Sequence, residues 1–131
     1  RYAGFSTAKP WLRVNPNHTE VNAARELCDP DSVLNFFRRV VTLRKEHPDL
    51  VYGSFRLVAP DNPQVFAYLR EGTSRNYLAA LNFSPKAARF DPKTDLTEAV
   101  PLLHNYPAPP IAEKEGPTEL RPYEGILYRL A

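Results

Sequence analysis

The 131 residues are enough for one ordinary domain, or for one small domain and a piece of another. Seventeen basic and fifteen acidic side chains give a formal net charge of +2, which is too small to favour nucleic acid or an anionic membrane as a partner. No apolar run has the length of a transmembrane helix, and the single cysteine excludes a disulfide framework within the chain. A single cysteine is weak evidence for a reducing compartment, and on this basis we expect a cytoplasmic protein.

Residues 1–29 are predicted to be an irregular segment. Gly4, Pro10 and Pro16 interrupt it, and no period of about 2 or 3.6 residues holds for long. A long irregular segment is usually a functional loop, a linker or a segment whose partners are missing. Near its end, the thiol of Cys28 is predicted to be buried and inert, because nothing nearby favours a thiolate.

Residues 30–47 form the one helix that the sequence predicts. Asp29 is a suitable N-cap, Pro30 suits the first helical position, and Pro48 ends the helix. Its apolar face is unusually wide, which indicates more than one neighbour, such as a barrel and a second domain. The face consists of Val33, Leu34, Phe36, Phe37, Val40, Val41 and Leu43. Without those neighbours the helix would expose Phe36, Phe37 and Val40, a patch that favours association.

Residues 51–131 are predicted to be all-β, as an antiparallel β-sandwich. Short apolar runs recur about every ten residues, with Pro, Gly, Asn and Ser turns between them. The predicted strands are Phe55–Ala59, Val65–Arg70, Tyr77–Phe83, Ala88–Phe90, Ala99–His104, Thr118–Arg121 and Gly125–Leu130. Both faces of the second strand are apolar, which indicates a central strand. Residues 105–117 are predicted to be a loop.

Eight aromatic residues of this region are predicted to lie in the sandwich core, because most alternate along the strands. They are Phe55, Phe66, Tyr68, Tyr77, Phe83, Phe90, Tyr123 and Tyr128. A carbohydrate-binding surface is the alternative. The acidic pairs Asp29/Asp31, Glu113/Glu115 and Glu119/Glu124 are interpreted as capping or solvated carboxylates. The three histidines fit no zinc motif, and no metal site is predicted.

Several short motifs, in order, resemble family 13 α-glucosidases of the maltase and oligo-1,6-glucosidase type. They are Ala3-Gly4-Phe5-Ser6, Lys9-Pro10-Trp11, Arg13-Val14-Asn15-Pro16-Asn17, Asp29-Pro30-Asp31-Ser32-Val33-Leu34, Leu43-Arg44-Lys45-Glu46-His47-Pro48, Tyr52-Gly53-Ser54-Phe55, Phe66-Ala67-Tyr68-Leu69-Arg70, Leu81-Asn82-Phe83-Ser84, Asn105-Tyr106-Pro107 and Leu120-Arg121-Pro122-Tyr123-Glu124-Gly125. The last two are similar to the fungal, yeast-maltase members. Any single motif is weak evidence, but the motifs together extend over the full chain in the right order, which is strong evidence.

The resemblance implies the C-terminal portion of a retaining glycoside hydrolase. Residues 1–50 would be the end of a (β/α)8 catalytic barrel, with a loop over 1–29 and the last barrel helix over 30–47, and residues 51–131 the C-terminal β-sandwich. Retaining hydrolysis needs a nucleophilic carboxylate and an acid/base carboxylate, to which the family adds a third. All three would lie upstream of Arg1, so no catalytic residue is predicted here, no cofactor is predicted, and the chain alone should be inactive. Its partners would be the missing barrel and a small α-glucoside.

In the family, the first loop lies on the rim of the substrate pocket. Aromatic rings there can stack on a sugar and amides can bind its hydroxyls. The predicted substrate-binding residues are Tyr2, Phe5, Lys9, Asn15 and Asn17. Trp11 is instead predicted to hold the loop against the barrel, and the same structural role is the open alternative for Phe5. Tyr2 occupies a position where relatives often carry Asn, which would change the acceptor side of the pocket.

Three alternatives remain open from the sequence. The same fold occurs in sugar isomerases and transglucosylases, which transfer the glucosyl unit to the hydroxyl of another acceptor instead of to water. Some relatives are degenerate barrels that act as transporter partner subunits. The third alternative is an independent sugar-binding module. Titration of the 131-residue chain with maltose would detect such a module, and we expect no binding.

Overall fold

A computed structural model describes residues 2–109 and 116–131, and those ranges contain three α-helices and seven strands. The helices are α1 (Ala23–Cys28), α2 (Val33–Glu46) and α3 (Asp49–Tyr52). The strands are β1 (Ser54–Leu57), β2 (Val65–Glu71), β3 (Asn76–Asn82), β4 (Ala88–Phe90), β5 (Val100–His104), β6 (Thr118–Leu120) and β7 (Gly125–Arg129). The chain divides into two compact units, Arg1–Val41 and Thr42–Ala131.

Helix α1 corrects the prediction that residues 1–29 are irregular throughout. Its N-cap is Asn22, whose Oδ1 accepts a hydrogen bond from the Arg25 amide at 3.0 Å. The six residues bury no side chain, so the helix produces no apolar stripe that a periodicity argument could detect. Cys28 at its last position is exposed, so the prediction of a buried thiol was wrong.

Helix α2 begins three residues later than predicted. The Oγ of Ser32, a buried residue, accepts a hydrogen bond from the Asn35 amide at 3.2 Å, which makes Ser32 the capping side chain. Asp29 is not the N-cap, because its own amide donates to Glu26 O at 3.2 Å and ends α1. On the predicted apolar face, Val33 and Phe37 are 80% and 61% exposed, while Phe36 and Val40 are half-buried.

The strands form an antiparallel sandwich, as the sequence predicts. Five strands pair in the order β1-β2-β3-β7-β5, and β4 pairs with β6 in a second sheet. All seven predicted strands are confirmed within two residues at each end, and β2 is an inner strand with a neighbour on each side. The core lies between the two sheets. It contains Val58, Val65, Ala67, Leu69, Leu78, Ala80, Ala88, Phe90, Leu96, Leu120, Ile126, Tyr128 and Leu130.

The aromatic residues of this unit divide into two groups, so the prediction that all eight lie in the core was partly wrong. Tyr77, Phe90 and Tyr128 are buried, and Tyr68 is half-buried. The others are exposed; their exposed fractions are 52% for Phe55, 44% for Phe66, 69% for Phe83 and 60% for Tyr123. Strand alternation therefore identifies a face, but it does not show which face is covered.

Helix α3 is joined to the sheet by Asp49. Its Oδ2 accepts hydrogen bonds from the amides of Ser74 and Arg75, at 3.2 and 3.0 Å, in the turn between β2 and β3. Only Gly53 separates α3 from β1, and a Cβ there would lie 2.5 Å from Asp49 O and 3.0 Å from Glu71 O. The helix end and the β2–β3 hairpin are therefore in direct contact through main-chain atoms.

A buried carboxylate stabilises the turn before β7. Glu124 is 1% exposed, and its Oε2 accepts hydrogen bonds from Arg121 N at 2.7 Å and Arg121 Nε at 3.0 Å. The same guanidinium donates to Glu124 Oε1 and to Ala108 O, and its Cζ lies 4.0 Å from the centroid of the Tyr106 ring. Of the two interpretations of Glu124, a capping or a solvated carboxylate, the structure excludes the second and agrees with the first, since the carboxylate accepts from the Arg121 amide. Glu113 and Glu115 lie outside the described residues.

Candidate functional site

The segment that the sequence selects for substrate contact, residues 2–17, is here called the rim segment. It begins with a single left-handed turn over Tyr2–Gly4, in which Phe5 N donates to Tyr2 O at 3.0 Å. Tyr2, Ala3 and Gly4 have φ values of 51°, 54° and 72°. Left-handed backbone costs a side-chain-bearing residue roughly 1–2 kcal/mol, and such strain is concentrated at functional sites. This turn fixes the direction in which the rim segment begins.

The rim segment exposes its larger side chains. Phe5 and Trp11 are 90% and 92% exposed, Lys9 is exposed, and Tyr2 is half-buried. The exposed rings of Phe5 and Trp11 can offer an apolar face to a sugar, or to a barrel wall. The predicted contact between Trp11 and a barrel stays a prediction.

A turn at the end of the rim segment orients its two asparagines. His18 N and His18 Nδ1 bond Asn15 O at 3.2 and 3.0 Å, and Glu20 N and Val21 N donate to Asn17 O at 2.9 and 2.8 Å. These bonds use main-chain carbonyls. Within residues 2–109 and 116–131, the side-chain amides of Asn15 and Asn17 make no hydrogen bond, so they are available to hydroxyl groups. The roles of the five predicted residues stay predictions.

A second candidate surface lies in the unit of residues 42–131, and the sequence offered its aromatic residues only as part of an alternative carbohydrate-binding surface. It is a shallow cavity of about 440 Å³, here called the aromatic groove. Its lining residues are Arg44, Leu50, Val51, Phe55, Phe66, Tyr68 and Arg70. The signal in the sequence was the second apolar face of β2, which we interpreted only as evidence for a central strand.

Three aromatic rings form the floor of the groove. The centroid of the Tyr68 ring lies 5.1 Å from that of Phe55 and 5.5 Å from that of Phe66, in tilted arrangements. The strand register explains this cluster, since Leu57 of β1 pairs with Tyr68 and Phe55 pairs with Arg70. Phe66, Tyr68 and Arg70 thus lie on the face of β2 opposite to the core residues.

Two arginines give the groove a positive charge. Arg70 Nη2 donates to Val51 O at 2.6 Å, whereas Arg70 Nε is buried and has no hydrogen-bond partner in the described part of the chain. Arg44 is exposed, and the lining residues include no carboxylate. A buried N–H without an acceptor is unfavourable, so the groove offers an apolar floor and an unused donor.

Neither surface contains a catalytic arrangement of carboxylates. No group of three His, Cys, Asp or Glu side chains that could hold a metal ion occurs in residues 2–109 and 116–131. Burial, and secondarily the charge of Glu124, raise the pKa of the Tyr128 hydroxyl to about 12, so this buried phenol stays protonated. No helix of the same ranges is long and apolar enough to cross a membrane.

Known protein families match both parts of the chain. Residues 1–53 match the catalytic domain of α-amylases, and residues 55–127 match the C-terminal domain of maltogenic amylases. The two matches meet at the junction of α3 and β1. The aromatic groove therefore has Arg44, Leu50 and Val51 from the first match and its other four lining residues from the second.

Curated relatives are similar over almost the whole chain. A probable oligo-1,6-glucosidase 2 of Bacillus subtilis is 42% identical over 98% of the chain, and an α-glucosidase of Schizosaccharomyces pombe is 36% identical over 97% of it. Among solved structures, the trehalulose synthase MutB from Pseudomonas mesoacidophila MX-45 superposes with a TM-score of 0.85 and 39% identity over 99% of the chain. The chain spans 23%, 22% and 23% of the lengths of these three proteins.

Proposed function

Because the chain belongs to the α-amylase family, we propose that it is the C-terminal portion of an α-glucosidase that hydrolyses short α-glucosides with retention of configuration. The single observation that carries the proposal is the 42% identity to a probable oligo-1,6-glucosidase over 98% of the chain. The similarity continues across the junction at Gly53, so it includes the end of the catalytic domain as well as the β-domain. Maltose, isomaltose and sucrose are the substrates that we propose.

In this proposal the reaction takes place in the part of the catalytic domain that precedes the rim segment. Two carboxylates there, one nucleophilic and one acid/base, would form and break a glycosyl-enzyme intermediate. The chain itself contributes substrate contacts through the rim segment. Exposed Phe5 offers a ring face, Lys9 a charge, and Asn15 and Asn17 offer free amides, while the left-handed turn at Tyr2 positions the first of these residues.

The remaining residues would support the catalytic domain. We propose that this domain ends at residue 50 and that residues 51–131 are the C-terminal domain; the two family matches, over residues 1–53 and 55–127, support this division. The catalytic barrel is thus the proposed partner of this segment. We also propose a cytoplasmic location, which the exposed and unpaired thiol of Cys28 supports.

The test of this function uses the full-length protein that carries the segment. Purified protein is incubated separately with maltose, isomaltose and sucrose, and products are separated by chromatography. Release of glucose with the α-anomer formed first supports the proposal, and the 131-residue chain alone should release none. Absence of glucose from all three sugars, by a folded full-length protein, would refute the function.

A sugar isomerase is the second candidate function. It is favoured by the 39% identity and TM-score of 0.85 to a trehalulose synthase, one structure of which contains the substrate sucrose. The sucrose incubation separates the two functions. Hydrolysis gives glucose and fructose in equal amounts, whereas isomerisation gives a new disaccharide of unchanged mass with little free glucose.

Replacing Tyr2 by Asn in the full-length protein should change the ratio of α-1,4 to α-1,6 cleavage. The phenol ring is larger than the amide, and it projects from a backbone in the left-handed region, where Asn is tolerated better than Tyr. We expect relief of backbone strain and a wider acceptor side. The measurement is kcat/KM for maltose and for isomaltose, with Trp11→Phe as the control in the same segment. An unchanged ratio would contradict a role for Tyr2 in linkage preference.

A further inference from the structure

We propose that Asn22 is a positioning residue for the substrate contacts of the rim segment. Its side chain joins the turn that carries Asn15 and Asn17 to helix α1, and α1 is bonded in turn to the start of α2. The inference rests on the proposed function, since it requires that the two rim asparagines contact a sugar. It deepens that function by naming the residue that fixes their orientation. Asn22 and the residues it joins all lie in one compact unit, Arg1–Val41.

The side chain of Asn22 makes two hydrogen bonds, one toward each side of the chain. Its Oδ1 accepts from Arg25 N at 3.0 Å and caps α1, while its Nδ2 donates to His18 O at 3.0 Å. The orientation of the amide is unambiguous, because a main-chain N–H only donates and a carbonyl only accepts. One half-buried side chain therefore joins the first turn of α1 to the chain that precedes it.

Helix capping alone does not require an amide at this position. Asp and Ser cap helices about as well as Asn, because one side-chain oxygen is sufficient to accept from an amide of the first turn. An ionised Asp has no donor, and Ser has a single short hydroxyl. Asn has a separate NH2 group, so it can cap the helix and bond a second carbonyl at the same time. The bond to His18 O is thus the contact that capping does not explain.

The carbonyl that Asn22 binds lies inside the turn of the two rim asparagines. His18 N and His18 Nδ1 bond Asn15 O at 3.2 and 3.0 Å. Val21 N donates to Asn17 O at 2.8 Å. Asn15 and Asn17 are exposed, so the main-chain bonds of the turn decide where their amides lie. A change at His18 O therefore reaches both side chains through these bonds.

Hydrogen bonds at the other end of α1 hold the helix in place, since no residue of α1 is buried. Glu26 O accepts from Ser32 Oγ at 2.7 Å and from Asn35 Nδ2 at 2.8 Å. Glu26 Oε2 accepts from Leu34 N at 3.0 Å. Helix α1 is thus bonded to the start of α2 at one end and, through Asn22, to the rim turn at the other.

The test separates capping from positioning in the full-length protein. Asn22→Asp keeps a capping oxygen and removes the donor to His18 O, and Asn22→Ser removes the amide donor without adding a charge. KM and kcat are measured for whichever of maltose, isomaltose and sucrose the wild type cleaves best. We expect both variants to raise KM about fivefold, the effect of one lost hydrogen bond, with kcat little changed because the contact is lost before and during reaction alike. A wild-type KM in either variant would overturn the proposal.

Asn105→Asp is the matched control. Asn105 Oδ1 accepts from Gly125 N at 2.9 Å and its Nδ2 donates to Tyr123 O at 2.8 Å. The substitution therefore removes the same kind of donor and adds the same charge, but in the β-domain. It should leave KM at the wild-type value. An equal rise in KM for Asn105→Asp and Asn22→Asp would contradict a specific role for Asn22.

Coupling to the rim asparagines is the second readout. In a background of Asn15→Ala and Asn17→Ala the sugar contacts are already absent, so Asn22→Asp should raise KM only about twofold or less. An undiminished rise in that background would show that Asn22 acts by another route and would refute the positioning role. Wild-type glucose release together with normal kinetics of the Asn22 variants would refute this inference alone. Failure of the wild type to cleave any of the three sugars would refute the proposed function, and this inference with it.

Discussion

Replacing Glu124 by Ala should lower the free energy of unfolding of the β-domain by about 2 kcal/mol, because it removes a buried charged acceptor from the hydrogen bonds of Arg121. The carboxylate accepts three hydrogen bonds from Arg121, one from its amide and two from its guanidinium. The guanidinium in turn bonds Ala108 O and lies over the Tyr106 ring, so the loss extends to the segment after β5. Hydrogen exchange of the β7 amides in the full-length protein measures the change.

Glu119 provides a matched control for this substitution. It also pairs with an arginine, Arg89, at 2.8 Å, but the two side chains are 54% and 73% exposed. An exposed ion pair contributes about 0–1 kcal/mol, so Glu119→Ala should have little effect. If Glu119→Ala and Glu124→Ala were equally destabilising, the effect of the second could not be assigned to its burial.

The contribution of Glu124 should also depend on pH. Burial opposes its ionisation, but the hydrogen bonds and charge of Arg121 outweigh burial and hold the pKa of the carboxyl below its ordinary value of 4.5. The contribution is therefore complete above that pH and is lost as the pH falls through the folded-state pKa. The stability difference between wild type and Glu124→Gln should be largest at neutral pH and shrink in acid. A difference that grows in acid would show that the shift has the opposite sign.

Replacing Gly53 by Ala should cost about 2–3 kcal/mol, at the upper end of the cost of overpacking, because the new methyl group meets main-chain atoms on both sides. Its Cβ would lie 2.5 Å from Asp49 O and 3.0 Å from Glu71 O, and neither carbonyl can rotate away as a side chain would. The backbone at Gly53, with φ −59° and ψ 157°, is open to any residue. The expected loss therefore comes from the close approach of α3 to β2, not from an unusual dihedral angle.

Gly125 is the control for this substitution. A Cβ there would contact only the Leu81 side chain, with Cδ2 at 3.5 Å and Cγ at 4.0 Å, which are ordinary van der Waals distances. Gly125→Ala should therefore change the free energy of unfolding by about 0.5 kcal/mol or less. Thermal unfolding of the full-length protein is measured for both variants. We expect Gly53→Ala to lower the melting temperature by several degrees. Equal melting temperatures for the two variants would contradict the packing argument.

The strands were predictable because the two signals that define them, alternation with a period of two residues and turn residues at their ends, can be read from short stretches of sequence. Val65, Ala67 and Leu69 alternate with the outer residues of β2, and the turn residues after Ala59 and Glu71 separate the strands. The helices were harder. The start of α2 depends on Ser32, and the sequence also offered Asp29, a residue of equal capping propensity, which the unpredicted helix α1 already uses.

The two candidate surfaces differ in how far sequence reasoning could reach. The five rim residues came from a family resemblance, since no spacing in residues 2–17 specifies a sugar site. The aromatic residues of the groove were assigned to the core, with an exposed surface only as the alternative, because burial is a property of the assembled structure. Phe66 and Tyr68 are of residue types that are common in protein cores. The sequence does not show whether the second apolar face of a strand is covered by the same domain or by another one.

The single residue between α3 and β1 has a consequence for engineered chimeras. A domain exchange between related enzymes usually needs a tolerant linker, and Gly53 is too short and too tightly packed to serve as one. A crossover placed at this junction separates Asp49 from the hairpin turn whose amides it binds. Recombination of catalytic and C-terminal domains should therefore succeed only when the donor brings the whole stretch from Asp49 to Arg75 as one block.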